Sequence, residues 1–348
     1  MSTYFMMYVV LAVMALRAPL NRMYTTQWKW LSVGVVLTFV IGLRDRVGGD
    51  WFNYLRRFND LEFLTLAEAL SVKDPGYQWI SYVMYDWGFQ IYAVNFICAV
   101  IFVTGLIAFS RRQINPWLAM AVAVPYLIIV VSMGYTRQGV ALGLVMWGLA
   151  ALDRGKFIHF MMFVALATAF HKSAILMIGF GIFQQGKGAW LKVLALVFAA
   201  MGIWSAFVED AAGDLWKNYV DAEMESQGAM IRVLLNLIPG VLLLYFRKRW
   251  KQHFNDYGLW FMVAIASIAS VGLVGSASTA VDRMALYFIP IQMVVYARLP
   301  LLARHIIPPK ITMILILCFY ALIMIVWLTS AVNARYWVPY DNVLFPSF

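Results

Sequence analysis

The chain has 348 residues, of which 63% are hydrophobic and 13% charged, so it has too little polar surface to cover a soluble globule and reads as an all-α polytopic integral membrane protein. Its formal charge of +10 would suggest a nucleic-acid partner in a soluble protein. Dividing the charges between alternate loops excludes that partner: one set holds 16 Lys/Arg against 2 Asp/Glu and the other 11 against 15, the positive-inside signature of a membrane protein.

The amino terminus is apolar from Tyr4 to Leu16, with no basic stretch ahead of it and no small-residue cleavage site before Arg17. This predicts a retained first helix, not a cleaved signal. A second span, Trp30 to Leu43, leads into an outer loop, residues 44–75. Within that loop Trp51 to Leu70 is amphipathic and predicts an interfacial helix, with Phe52, Leu55, Phe58 and Leu61 toward lipid and Arg56, Arg57, Asp60 and Glu62 in water. Pro75-Gly76 then opens an apolar piece to about Gly88, too short to span and read as re-entrant. Further spans are predicted near Gln90–Phe109, Trp117–Ser132, Thr136–Leu152, Trp190–Phe207, Ile231–Phe246, Tyr257–Gly275, Met284–Leu302 and Ile311–Val332.

The stretch from Phe157 to Phe183 has flanks that both belong inside by charge, yet two full crossings need about 40 residues. It predicts two short helices meeting at Phe170-His-Lys-Ser173, a break tolerated in a membrane only against enclosing protein or a watery cavity. The sum is about twelve transmembrane segments, broken and re-entrant pieces included, with both termini outward. Residues 208–230, which carry Glu209, Asp210, Asp214, Asp221, Glu223 and Glu225, form a second long outer loop. The chain is thus one transmembrane domain, 1–348, whose outer loops 44–75 and 208–230 lie over an outward-facing cavity. Inner connectors such as Arg111-Arg112, Arg154-Gly-Lys156 and Arg247-Lys-Arg-Trp-Lys251 are short basic anchors. Cys98 and Cys318 sit in apolar runs without His or Asp companions, so neither a disulfide nor a thiolate metal site is expected. No Gly-rich phosphate loop, His-Glu-x-x-His or Gly-x-Ser-x-Gly occurs, so ATP-driven, zinc-hydrolase and serine-esterase chemistries lack support.

Mixed charges next to apolar segments are costly and point to function on the outer face. In Arg44-Asp-Arg46-Val-Gly48-Gly49-Asp50-Trp-Phe-Asn-Tyr54, two guanidinium forks beside a Gly-Gly turn suit an anionic diphosphate or carboxylate. Asp50 and Tyr54 would share a helical face; mutual pairing of Arg44, Asp45 and Arg46 at the interface is the plainer alternative. In Gly134-Tyr-Thr-Arg137-Gln-Gly139 a helix begins on the outer face beside Arg137, a ready anion site, unless that arginine only snorkels. His171, at the predicted break, is either a packing residue or a neutral imidazole able to take a proton from a hydroxyl. Asp282 and Arg283 form an ion pair, or else Arg283 faces the cavity while Asp282 binds a sugar hydroxyl. The tail Arg335-Tyr-Trp-Val-Pro-Tyr340-Asp-Asn342 suits stacking on sugar rings, as it would an interfacial aromatic belt.

Taken in order, Arg44-Asp-Arg-Val-Gly-Gly-Asp50-Trp-Phe-Asn-Tyr54, Arg137-Gln-Gly-Val-Ala-Leu-Gly-Leu144, Phe170-His-Lys-Ser-Ala174, Asp282-Arg283 and Trp337-Val-Pro-Tyr340 resemble the EpsG family of bacterial polysaccharide polymerases, among the Wzy-type enzymes. The likeness runs from about the second helix to the carboxyl terminus. One departure stands out: in Lys73-Asp-Pro-Gly-Tyr77 Pro75 occupies the place just before Gly-Tyr where an acidic residue is expected, leaving Asp74 as its substitute.

The resemblance implies a GT-C-like architecture in the bacterial inner membrane with a periplasmic active face. It implies a metal-independent, inverting glycosyltransferase without cofactor that polymerises O-antigen or exopolysaccharide repeat units. Donor and acceptor would both be oligosaccharides on undecaprenyl diphosphate, with the bilayer and a chain-length regulator as further partners. Arg137 and Arg283 would hold the diphosphate, with Arg44 and Arg46 next. His171 would be the base, with Asp50 second. Tyr54, Tyr77, Asp282, Arg335 and Tyr340 would hold sugar. The rival reading is a lipid-linked oligosaccharide flippase or transporter, which should carry ionisable groups through the membrane's depth and not crowd them toward one face.

Overall fold

The computed structural model describes residues 1–18, 26–183, 229–275 and 278–345, and these contain helices and no strands. In chain order the helices are α1 (Ser2–Arg17), α2 (Gln27–Gly42), α3 (Trp51–Asn59), α4 (Leu66–Ser71), α5 (Pro75–Asp86), α6 (Ile91–Ser110) and α7 (Pro116–Ala123). They continue as α8 (Thr136–Leu152), α9 (Phe157–Phe170), α10 (Leu176–Gly181), α11 (Ala229–Tyr245), α12 (Arg247–His253), α13 (Tyr257–Leu273), α14 (Ser278–Phe288), α15 (Pro290–Leu302) and α16 (Pro309–Ser330). The predicted span Trp190–Phe207 and nearly all of the acidic loop 208–230 lie outside the described residues.

Among the described residues three stretches are long and apolar enough to cross a bilayer: Ile91–Ser110, Val281–Leu302 and Pro309–Ser330. The pair α11 and α12, bent by 76°, makes a fourth when counted as one broken span, and is otherwise a re-entrant loop. Ser2–Arg17, Gln27–Gly42, Pro116–Ser132, Phe157–Phe170, Lys172–Gly181 and Tyr257–Leu273 are apolar but shorter. The chain is an all-α membrane protein; the full count of twelve crossings is not reached among the described residues.

Every residue of α7 is buried, and so is the π-helix Val124–Ser132 that continues it. Helix α15 is almost as enclosed. Helices apolar on all sides belong at the centre of a bundle, and these two pack on each other there. Around them α1, α2, α11 and α16 turn large apolar side chains outward, among them Met6, Val36, Ile231, Leu315 and Leu322, the faces that lipid would cover. Helices α6 and α8 approach so closely that a Cβ added to Gly105 would collide with the Gly143 carbonyl oxygen. Small residues at such crossings let backbones touch.

Two sequence expectations change. The face of α3 and the 3₁₀ turn Asp60–Phe63 that packs inward is Trp51, Tyr54, Phe58 and Leu61, while Phe52 is 59% exposed. Spacings of three and four select that face, and Phe52 falls off it. Between α7 and α8 the chain is not plain α-helix but π-helical from Val124.

Arg112 pairs with Asp153, and both line a small hollow together with Asp256, Trp260 and Arg298. The basic connectors thus gather at one end of the bundle, the inner one by the positive-inside rule, and the opposite end is the outer one by the same rule. At the inner end Asp256, just ahead of α13, accepts both guanidinium ends of Arg298 at 2.8 and 2.6 Å. It also accepts the indole N–H groups of Trp250 and Trp260 at 3.1 and 3.0 Å. Burial alone would raise the Asp256 carboxyl, but Arg298 and the two indoles hold it below the usual carboxylate range.

Removing one partner of a buried pair costs about 3–5 kcal/mol. Arg298→Met is therefore expected to lower the thermal unfolding midpoint of the solubilised protein markedly, and Arg111→Met, at an exposed anchor, to leave it nearly unchanged. Because the folded Asp256 value is depressed, the wild-type advantage is complete above the ordinary carboxylate range. It fades as pH falls through that range and is lost below the lowered value; a difference between the two proteins that did not change with pH would refute this account.

Candidate functional site

The site is built on a buried arginine. Arg44 follows α2 and is 1% exposed. Its Nη1 donates to the Ile41 carbonyl at 2.6 Å, Nε to the Val47 carbonyl at 3.2 Å and Nη2 to Thr136 Oγ1 at 2.9 Å. Its guanidinium carbon lies 5.7 Å from the Trp51 ring. One guanidinium thus ties the end of α2, the following turn and the start of α8, and it offers no open face to a ligand in this conformation. Arg46, by contrast, has a side chain 75% exposed and contacts Asp45 at 3.8 Å.

Gly48 makes the turn possible. Its φ is +112°, and a Cβ there would collide with the Met133 carbonyl oxygen, so no side chain fits. Its N–H donates to the Tyr336 carbonyl at 2.8 Å, which brings in the tail. Tyr340 donates to the Val40 carbonyl at 2.8 Å, and the Trp337 indole donates to the Ile129 carbonyl at 2.8 Å. Val343 N–H donates to the Leu43 carbonyl, and Asp45 N–H to the Asp341 carbonyl. The tail is a strap across the outer ends of α1, α2 and the π-helix. The Tyr340 hydroxyl is committed to that strap, while Arg335 stays exposed and donates to Tyr336 at 3.0 Å.

Beside this frame five separate segments converge. Arg137, in the first turn of α8, forms an ion pair with Asp74 and lies 5.7 Å over the Tyr54 ring. Tyr54 in turn meets Tyr77 at 5.4 Å. Both rings are buried, so they form a floor beneath Arg137 and not an open stacking surface. Asp74 stands ahead of α5 with φ of 66° and makes no capping bond to that helix, which leaves its carboxylate directed at Arg137. Asp50, ahead of α3 and half-buried, lies one turn before Tyr54.

His171 occupies the break between α9 and the 3₁₀ turn Lys172–Ile175, with an extended backbone at φ −161° and ψ 117°. The break falls where the charged flanks place it. Its Nε2 is 3.1 Å from the Gln138 amide nitrogen and its Nδ1 3.4 Å from the Tyr287 hydroxyl. With the amide donating to Nε2, the ring proton is assigned to Nδ1, facing Tyr287. Arg283, Arg137 and Lys172 are the cations near enough to act on the ring, and Lys172 and Arg57 also lie near Asp74.

Asp282 does not pair with Arg283. It pairs with Arg232 of α11, on the other side of α14, while Arg283 belongs to the surroundings of His171. Successive helical residues differ by about 100° in direction, which separates these neighbours. Three residues of the site escape sequence reasoning: Gln138, Tyr287 and Arg232. Gln138 lies inside the Arg137 motif, and Tyr287 follows Arg283 at the four-residue spacing that shares a helical face. No local pattern marks Arg232.

The EpsG family model matches residues 27–342. No curated protein and no solved structure matches the chain.

The two arginines of the first motif should separate cleanly in a stability assay. Arg44→Lys keeps the charge but loses the fork, and each buried group left unpaired costs about 1–3 kcal/mol. The expected result is a sharply lowered unfolding midpoint and low membrane abundance, whereas Arg46→Ala stays within about 0.5 kcal/mol of wild type. Equal effects from the two would remove Arg44 from its place as the keystone.

Proposed function

The chain belongs to the EpsG family, and we propose that it is a membrane glycosyltransferase that polymerises oligosaccharide repeat units carried on undecaprenyl diphosphate at the periplasmic face of the inner membrane. One observation carries this reading: Arg137, Arg283, Lys172, Asp74 and His171, drawn from distant parts of the chain, gather around one helix break.

In the proposed reaction the acceptor hydroxyl attacks the anomeric carbon of the growing chain, the bond from that carbon to the diphosphate oxygen breaks, and the lipid diphosphate leaves with the electron pair. Charge develops on the leaving oxygens, where preorganised guanidinium groups stabilise it best. Asp74 holds Arg137 in place, and Arg283 and Lys172 add positive potential around the same break. The proposed displacement routes no step through a metal ion. His171 Nε2 is the atom that takes the hydroxyl proton once the acceptor displaces the Gln138 amide, and Tyr287 keeps the ring oriented from the other nitrogen. Direct attack inverts the anomeric centre. Asp50 is the second choice of base, and Arg46 a second choice for the diphosphate at the outer edge.

The test is the glycan length pattern of cells lacking the protein and supplied with wild type, Arg137→Ala, Arg283→Ala or His171→Ala at equal membrane abundance. Loss of one charge-stabilising donor is expected to slow the reaction by about 10²–10³, and loss of the base by about 10²–10⁴. Wild type should give a ladder and the variants a single repeat. Full ladders from all three variants would send these residues back to structural roles, and disappearance of every lipid-linked unit from the outer face would point to a flippase.

A further inference from the structure

A second feature lies across Asp282 from the His171 cluster. Between α11, α16 and the π-helix runs a groove of about 600 Å³. Its walls are apolar: Ile231 and Leu235 from α11, Leu322 and Val326 from α16, and Pro125 and Val130 from the π-helix. Of its polar lining, Tyr135, Ser330 and Asn333 stand at helix ends and Arg232 near the start of α11, while Tyr126 lies deeper beside Pro125. Those helix ends are the outer ones, since Tyr135 immediately precedes α8 and Asn333 follows α16.

The dimensions have meaning in a bilayer. From Leu322 to Ser330 along α16 is about eight residues at 1.5 Å each, about 12 Å, close to half of a hydrocarbon core about 30 Å thick. The groove therefore covers one leaflet, with apolar walls at depth and a cation at the outer boundary. A membrane lipid with an anionic head has that same order of parts. The π-helix adds a second sign of use, since i→i+5 turns are rare and concentrate at functional sites; here the Trp337 indole donates to the Ile129 carbonyl.

The two sides are joined by neighbouring residues. Asp282 faces the groove through Arg232, and Arg283 lies one helical turn before Tyr287, whose hydroxyl is 3.4 Å from His171 Nδ1. Tyr135 lines the groove, and Arg137, two residues on, lies in the polar cluster. A lipid whose tail occupied the groove would bring its head to this divide, between Arg232 on one side and Arg283 with Arg137 on the other.

We propose that this groove receives the proximal part of the polyprenyl tail of one lipid diphosphate substrate and delivers its diphosphate to the Arg283 side. The assignment rests on the polymerase reading above and adds the route by which the lipid reaches the site.

The test is photo-crosslinking of the purified full chain in nanodiscs. The probe is a polyprenyl diphosphate that carries no sugar and has a diazirine near its diphosphate end. Labelling is expected on peptides containing Ile231, Leu235, Leu322 and Val326, reduced about tenfold by Val326→Trp, which fills the groove from an outward-facing position. Excess unlabelled polyprenyl diphosphate should compete, and neutral polyprenol at the same concentration should not. Labels spread evenly over the lipid-facing surfaces of α1 and α2, labelling unchanged by Val326→Trp, or equal competition by polyprenol would each overturn the assignment. If the polymerase reading alone were wrong, groove labelling would persist while the glycan ladder ignored Arg137. If the groove alone were wrong, the ladder would still collapse in Arg137→Ala.

Discussion

The outer half of this molecule depends on one buried guanidinium. Arg44 satisfies carbonyls at Ile41 and Val47 and the hydroxyl of Thr136, so it closes the turn that follows α2 and pins that turn to the start of α8. Thr136 is the residue before Arg137. An unpaired arginine could not be kept in such a place, because burying a charge is tolerated only when its donors are met. The directed fork therefore does what a lysine's point charge would not: it fixes the backbone next to Arg137, the arginine that pairs with Asp74. The tail reinforces the same frame. Gly48 N–H donates to the Tyr336 carbonyl, Val343 N–H donates to the Leu43 carbonyl, and the Tyr340 hydroxyl donates to the Val40 carbonyl.

Charge is handled differently at the two ends of the bundle. At the inner end Arg298 and Asp256 are matched to each other and to two indoles, an arrangement whose donors and acceptors hold α13 and α15 together. At the outer end three cations, Arg137, Arg283 and Lys172, stand around one imidazole, and Asp74 pairs with the first of them. Like charges crowded beside an apolar bundle are costly, and the Asp74 carboxylate offsets part of that cost. The inner pair is enclosed, with both carboxylate oxygens of Asp256 met, whereas the outer cations surround a helix break.

How much of this is legible in the sequence follows from what each signal encodes. The break at Phe170-His-Lys-Ser173 is readable because its flanks carry charge of known sidedness and its length cannot make two crossings. The clustering of outer charges is readable for the same reason. The role of Arg44 is not, since its neighbours in sequence are those of a ligand-binding arginine, and only burial distinguishes the two. The stripe expected to face lipid is misread at Phe58 and Leu61, which pack inward with Trp51 and Tyr54 while Phe52 stays exposed, because an apolar stripe looks the same in sequence whether lipid or protein covers it. The tail reads as a sugar-stacking segment because aromatic residues look alike in a strap and in a binding cleft. Arg232 gives no local signal: its partner Asp282 is far along the chain, and only folding brings α11 to α14.

The division made by Asp282 and Arg283 bears on how a polymerising enzyme could be organised. A transfer between two lipid-linked molecules needs their heads together while both tails stay in the membrane. Asp282 and Arg283 stand about 100° apart on α14, so this one helix meets Arg232 of the groove through Asp282 and His171 through Tyr287. Helix α14 is itself held firmly. Helix α14 meets α11, α13 and α15, and the Asn236 amide donates to the Ala285 carbonyl at 2.8 Å while accepting from Gln292 at 2.7 Å. The polar chain continues to the Tyr320 hydroxyl on α16, so the helix that carries Arg283 and the helix that forms the groove's far wall are held in one hydrogen-bonded frame.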